Sequence, residues 1–500
     1  MPFSFYQEEF IKRKTLFSIF RFVLFSVFTL FVFFACDMGF ITSKTINLTL
    51  DDSSVKEEHE NEELENEEAE EDSLEVKRLW SILVYMSADN NLEAAAIEDM
   101  LEMESSNLNT DVFSVFVLMD RSPSYDTSDS NWTGGKLFKL KTGRTEESKK
   151  IVSEELECKD LNLKPGESTE LDMASSYVLS NCLEYVKKEY PAENYGLVMW
   201  GHGTGWRSGE SEIDCLDFEA GAYKGFAFDE SSGSYMSLGQ VREGLERGLG
   251  GDKLAFLGFD TCFGACVELM YELRNCSTYA VGSEGLLMAS GWNYTSLFNA
   301  FNSVQSPGGR DLSFITLNEF KKWYESGNGA SFTVVKMDSM EEYFSSFDNL
   351  MGAFAEEVTS RGIRDEIMGI LYSDNDCETE KYTYGSMNSD VYLDVSSMVE
   401  QLSVYFTSSE KLEELETNFE AAAEKTVIGS WTSAGAKGGL SVFFSPLSEG
   451  GLLSVSHPDK YINGKTVQQI DFVSQSQGYV PRIKNNDSFL GKLFYESFID

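Results

Sequence analysis

The sequence predicts an α/β protein: a three-layer α/β/α sandwich around a largely parallel sheet, followed by a mostly helical C-terminal region. Two observations predict it. Short β-branched and aromatic runs recur along the chain, several of them apolar on consecutive positions, as strands covered on both faces must be. Amphipathic patterns of helical period lie between them, and strand, helix, strand in that order favours a parallel sheet whose functional residues gather at the carboxyl ends of its strands.

The first element is an export signal. Lys12, Arg13 and Lys14 precede an apolar stretch, interrupted by Arg21, in which Phe22 to Cys36 carries no charge. That length suits a signal peptide better than a spanning helix, which needs ~18 apolar residues. Ala35 is small enough for a leader peptidase, but Phe33 is too bulky. Phe33-Phe34-Ala35-Cys36 resembles a loose bacterial lipoprotein box, with Cys36 as the lipidated residue. An uncleaved membrane anchor and simple secretion are the alternatives. Residues 1–36 are therefore read as a signal peptide, and the protein as exported and held by lipid to a bacterial cell envelope.

Residues 37–79 follow as an acidic spacer. Between 51 and 75 stand 14 acidic side chains, a single Lys56 and no periodic apolar face before Leu74. Such a stretch cannot repay its ordering entropy and is expected to be disordered and extended by self-repulsion. Whether it serves as a stalk or only as a solvated linker, the geometry is the same.

From Leu79 the strands are expected at Trp80–Met86, Val112–Met119, Tyr195–Trp200, Leu254–Phe259, Tyr279–Val281, Phe332–Val335 and Leu440–Phe444. One helix is expected where Leu171, Ala174, Val178, Cys182 and Tyr185 recur, with Thr169 and Asp172 spaced as a capping box. Another is expected where Phe263, Cys266, Val267 and Met270 recur. Met340–Val358 and Leu412–Lys425 read as helices. The domain reading is a core over 80–340 and a C-terminal region over 341–500, helical and then returning to strands.

Charge narrows the partners. The 500 residues carry 40 Lys and Arg against 83 Asp and Glu, a net charge of −43. A field of that sign repels phosphate backbones, so nucleic acid is excluded as the main partner and basic substrates are favoured.

Histidines and cysteines narrow the chemistry. Of three histidines, His59 lies in the spacer, His457 precedes Pro458, and His202 ends a strand in WGHGTGW. A histidine-based metal cluster is thereby excluded, and a histidine base or acid must be His202. Gly201, Gly203 and Gly205 flank it and allow other backbone to approach closely, freeing the Gly203 N–H to face a ligand. Without Cys36, seven cysteines remain, Cys158, Cys182, Cys215, Cys262, Cys266, Cys276 and Cys377, an odd number that leaves a thiol unpaired within the chain. Cys262, in KLAFLGFDTCFGACVELMYEL, is expected just beyond a buried strand and just before an amphipathic helix. There a helix N-terminus would lower its pKa, and a nearby imidazole would make it a nucleophile for acyl groups. Cys266, one turn later, reads as core.

Together these segments resemble the clostripain family of cysteine peptidases. The resemblance is carried, in family order from about Trp80 to Pro446, by WSILVYMSADNNLE, KKEYPAENYGLVMWGHGTGW, FAFDESSGSYMSLGQVREGL, FLGFDTCFGACVEL, VGSEGLLMASGWNY and GGLSVFFSP. It implies a caspase-like fold and endopeptidase activity after Arg or Lys. It implies His202 as the catalytic histidine and Cys262 as the nucleophile, with the Gly203 and Cys262 N–H groups as the oxyanion hole. Asp260 would lie in the pocket for the residue before the scissile bond, where an unpaired carboxylate selects Arg or Lys. A helix-capping carboxylate is the alternative for Asp260. Glu284 and Trp292 match positions near the same pocket. The partners implied are peptides with Arg or Lys at the cleavage site, and a membrane reached through the N-terminal lipid or anchor.

The chain departs from the family pattern in Phe263-Gly264-Ala265-Cys266 after the nucleophile. Family members are commonly activated by self-cleavage between the histidine and cysteine blocks, where Arg207 and Lys224 are candidates. No cofactor is required by the dyad. Calcium, used by some members, remains possible although no DxDxDG-type loop is present. A catalytically inactive, membrane-tethered binding protein on the same fold is the other reading, favoured if Cys262 were disulfide-bonded to Cys266 or Cys276.

Overall fold

The computed structural model describes residues 78–145, 147–206, 225–325, 330–363, 366–367, 381–383, 391–406, 409–433, 437–443, 475–479 and 481–482. Cys36, the acidic spacer before Arg78, His59, Arg207, Cys215, Lys224, Cys377 and His457 lie outside them.

The strands are β1 (Arg78–Ala88), β2 (Phe113–Arg121), β3 (Gly134–Lys139), β4 (Glu154–Glu155), β5 (Ala192–Trp200), β6 (Phe226–Asp229), β7 (Ser234–Met236), β8 (Phe256–Asp260), β9 (Tyr279–Gly282), β10 (Ser331–Lys336), β11 (Lys381–Thr383), β12 (Val391–Asp394), β13 (Val427–Thr432) and β14 (Ser441–Phe443). The main sheet is nine-stranded, in the order β13-β10-β9-β8-β5-β1-β2-β3-β4. Its centre, β2-β1-β5-β8-β9, is wholly parallel. Antiparallel neighbours close both edges, β3 against β2 and β10 against β9. Strand β13 pairs with β10, so a late segment of the chain completes the same sheet.

Nearly every residue of β1 is buried, which is why its sequence is apolar without alternation. Its odd-numbered side chains, Leu83 and Tyr85, join one core with α2 (Ser176–Glu189), α3 (Leu238–Leu249) and α4 (Val267–Glu272). Its even-numbered side chains, Ile82 and Val84, join a second core with α1 (Glu93–Ser105), α5 (Tyr294–Phe301) and α6 (Gly309–Tyr324). Each fully buried Leu, Ile, Val or Phe contributes roughly 1.5–3 kcal/mol. The remaining helices, α7 (Met340–Arg361), α8 (Val395–Tyr405) and α9 (Glu410–Thr426), extend the first core.

The capping box expected at Thr169 and Asp172 does not form. Thr169 instead bridges Gly135 through its backbone, and α2 begins at Ser176. Asp172 accepts from Ala174 N–H and Ser234 Oγ instead. A capping box does occur where Ser237 and Gln240 open α3, which ends on the left-handed Gly250.

Candidate active site

Three adjacent parallel strands place the site. In the register β1-β5-β8, Met86 stands opposite Trp200, and Trp200 opposite Asp260. His202 and Cys262 each come two residues beyond that paired row, so they leave the sheet side by side at its carboxyl edge.

The turn between β5 and His202 requires its glycines. Gly201 has φ +134° and donates its N–H to Asp260 O at 3.3 Å. A Cβ on Gly203 would lie 2.5 Å from Cys262 O, so only glycine lets the turn at His202 rest on the turn at Cys262. From the late segment, Tyr392 OH donates to Thr204 O at 3.1 Å, and the Tyr392 ring packs on Phe263.

His202 is held by Asn91, which follows the end of β1: Nε2 and Asn91 Oδ1 are 2.7 Å apart. With the amide oxygen as acceptor, the contact fits the tautomer that carries its proton on Nε2. Burial lowers the His202 pKa to about 4.

Cys262 sits in the turn after β8, partly exposed. Its neighbour Phe263 has φ +53°, a left-handed conformation that costs a non-glycine residue about 1 kcal/mol or more. Two backbone bonds hold that turn to the segment after β9: Phe263 N–H to Gly285 O at 2.8 Å and Ala265 N–H to Ser283 O at 2.9 Å. Leu287 N–H donates to Cys262 Sγ at 3.2 Å. The expected helix N-terminus is not at the thiol, because α4 starts only at Val267 with Cys266 as its N-cap. Burial accordingly pushes the Cys262 thiol up to about 11 rather than down. Cys158, Cys182, Cys262, Cys266 and Cys276 are all free thiols, so the pairing that would favour an inactive protein does not form. Cys266 is buried in the core, as its position on the apolar face predicts.

Asp260, the last residue of β8, turns to the opposite face from Phe259 and is buried. Its Oδ2 accepts from Tyr294 OH at 2.9 Å and Trp292 N–H at 3.3 Å. Its Oδ1 has no hydrogen-bond partner. Burial pushes its pKa up to about 7. Asp99, hydrogen-bonded by Trp200 Nε1 at 2.7 Å, is raised well above the usual range by burial and by the Asp260 charge.

Trp292 reaches Asp260 through its backbone, while its ring is buried against Gly258 in the second core. Glu284 is fully buried; its N–H donates to Ser331 Oγ, its carbonyl accepts from Ser441 Oγ, and its carboxylate acts with Asp394 on Tyr343. It is not among the hydrogen-bond partners of Asp260. Asn91, Tyr294 and Tyr392 escaped the sequence reading. Asn91 stands in the quoted WSILVYMSADNNLE, but only the strand register brings it to His202. For a metal, Asp89, Glu170 and Asp229 offer ligand atoms within 4.8 Å of one another.

Comparison with known proteins agrees with this arrangement. The family model described as the clostripain family matches residues 84–471. Clostripain of Hathewaya histolytica is 23% identical over 410 residues, which span 73% of this chain and 74% of that protein. Two solved structures share the fold. One is an inactive zymogen of a C11 protease from Parabacteroides distasonis, with TM-score 0.53 and 21% identity, covering 80% of this chain and 98% of that one. The other is a secreted C11 cysteine protease from Bacteroides thetaiotaomicron in complex with an irreversible peptide inhibitor, with TM-score 0.52 and 18% identity, covering 80% and 99%. The sandwich is thus the caspase-like α/β/α fold.

Proposed function

The chain belongs to the clostripain family of cysteine proteases, and on that premise we propose that it is an endopeptidase cutting after Arg or Lys through Cys262 and His202. The observation that supports the specificity is Asp260: a buried carboxylate at the end of the strand that leads to Cys262, with one oxygen held by Tyr294 and Trp292 and the other unpartnered. A guanidinium or ammonium group satisfies that oxygen, and a neutral side chain leaves it buried and unpaired.

The resting dyad is neutral. As Cys262 Sγ bonds to the substrate carbonyl carbon, His202 takes the thiol proton, and the Gly203 and Cys262 N–H groups stabilise the oxyanion. The C–N bond then breaks, His202 gives its proton to the leaving amine, and a thioester remains. Water, deprotonated by His202, hydrolyses it and restores the thiol.

Export as a lipoprotein through Cys36 belongs to the same proposal. It is supported by the segment Phe33-Phe34-Ala35-Cys36 and by the secreted protease that shares the fold. Among the described residues no helix is long and apolar enough to cross a membrane. Radiolabelled palmitate should be incorporated by the wild type and not by Cys36→Ser.

Fluorogenic peptides differing only in the residue before the cleaved bond test the activity. Arg and Lys peptides should be turned over, Ala and Asp peptides should not, and Cys262→Ala should lose roughly 10³-fold or more. Equal cleavage of the Ala peptide would remove Asp260 from its role, and full activity of Cys262→Ala would remove the nucleophile.

A further inference from the structure

We propose that Leu286 and Met288 form a second subsite, which takes an apolar side chain on the residue immediately before the Arg or Lys of the cleaved bond. The subsite rests on the peptidase reading above and adds the class of neighbouring side chain that is selected. Among the described residues, the large apolar side chains left exposed are Tyr125, Tyr177, Leu286, Met288, Trp323 and Val404. Such residues scattered singly over a surface are ordinary. Leu286 and Met288, 47% and 62% exposed, stand instead on either side of Leu287, in the segment that borders the nucleophile.

That segment is a continuous wall from Cys262 to Asp260. Ser283 O and Gly285 O hold the turn after Cys262. Leu287 N–H donates to Cys262 Sγ at 3.2 Å, and the thiol lies 3.6 Å from Leu287 O. Gly291 N–H donates to Met288 O at 2.9 Å, which turns the chain towards the carboxylate. A Cβ on Gly291 would lie 3.0 Å from Asp260 Oδ2, and Trp292 N–H donates to that same oxygen. A peptide whose carbonyl carbon comes within bonding reach of Sγ, and whose basic side chain reaches Asp260, therefore lies along this wall.

The faces match by alternation. Leu287 packs inward on the second core while both its neighbours are exposed, the period-two pattern of an extended segment. Asp260 turns away from Phe259, which belongs to the first core, so the basic side chain points to the same side as Leu287. An extended substrate alternates too, and its preceding side chain emerges on the side of Leu286 and Met288. Leu, Met, Phe or Val at that position covers both side chains and removes apolar surface from water. Gly covers neither, and Asp is desolvated against apolar surface without a partner.

Binding to the full chain carrying Cys262→Ala tests the subsite without turnover. Capped hexapeptides ending in Leu-Arg, Gly-Arg and Asp-Arg, otherwise identical, are titrated calorimetrically. The Leu-Arg peptide should bind about tenfold more tightly than the Gly-Arg peptide, and the Asp-Arg peptide most weakly. Adding Leu286→Ser and Met288→Ser together should erase the Leu-over-Gly advantage; both side chains are exposed, so the fold has little to lose. Val404→Ser, the same kind of loss on α8, should leave the advantage intact. In the chain that keeps Cys262, kcat/KM should follow the same order. Equal Kd for the Leu-Arg and Gly-Arg peptides would overturn the subsite, as would an advantage that survives the double substitution or failure of all three peptides to bind. Should the order hold in Kd while the chain with Cys262 cuts none of the peptides, the peptidase reading falls and the subsite stands.

Discussion

Cys262 and His202 are both displaced from ionisation by burial, the thiol up to about 11 and the imidazole down to about 4. At neutral pH such a pair carries no charge, so in the proposed mechanism His202 acts as a base during attack rather than holding a preformed thiolate. Asp260 is the site residue that titrates nearest neutrality, raised to about 7 by burial. A raised carboxylate pKa means the free enzyme holds neutral Asp260 below about pH 7 and the anion above it. Consequently kcat/KM for an Arg substrate should rise as pH passes about 7, and Asp260→Asn should lose both that limb and about 100-fold or more of the Arg-over-Ala preference. A profile whose only acid limb lies near 4 would assign control to His202 alone. Asn91 touches His202, and in the proposed mechanism it positions the ring. Asn91→Ala should lower kcat about tenfold to a hundredfold with little change in KM, and an unchanged kcat would show that His202 needs no such support.

Element packing decides where these residues meet. Gly264 and Gly282 press backbone to backbone, and a Cβ on Gly282 would lie 2.5 Å from Gly264 O. Gly282→Ala should therefore push the nucleophile turn off β9, cutting kcat by about 100-fold while the fold persists, as circular dichroism would show. The seven expected strands all form because continuous apolar runs have few alternatives in a sheet covered on both sides. The places of His202 and Cys262 follow from the same runs, since each stands two residues beyond one. Strands β3 and β13 were not legible, since GGKLFK and VIGSWT alternate or carry glycine and polar residues at the antiparallel edges. Helix α2 was placed too early because the pairing of Thr169 with Gly135 is non-local. Likewise, Asn91 joins His202, and Tyr294 joins Asp260, across large sequence separations that no periodicity records.

The whole molecule carries a net charge of −43, of which residues 51–75 hold 14 acidic groups against a single Lys. That segment precedes the described body, in which the proposed cation-selective residue is Asp260. Long-range attraction should speed capture of basic peptides and be screened by salt. Raising ionic strength from about 0.01 to about 0.1 M shortens the Debye length from about 30 to about 10 Å. kcat/KM for Arg peptides should fall several-fold over that range with kcat unchanged. If the two parameters fell together, salt would be acting on the chemistry instead. The most direct test of the site is covalent. An irreversible electrophile on an Arg-terminated peptide, followed by peptide mass mapping, should modify Cys262 alone in the wild type and nothing in His202→Ala or Cys262→Ala. Labelling of Cys158, Cys182, Cys266 or Cys276 instead, or equal labelling by an Asp-terminated analogue, would contradict a Cys262 nucleophile served by a cation-selective Asp260 pocket.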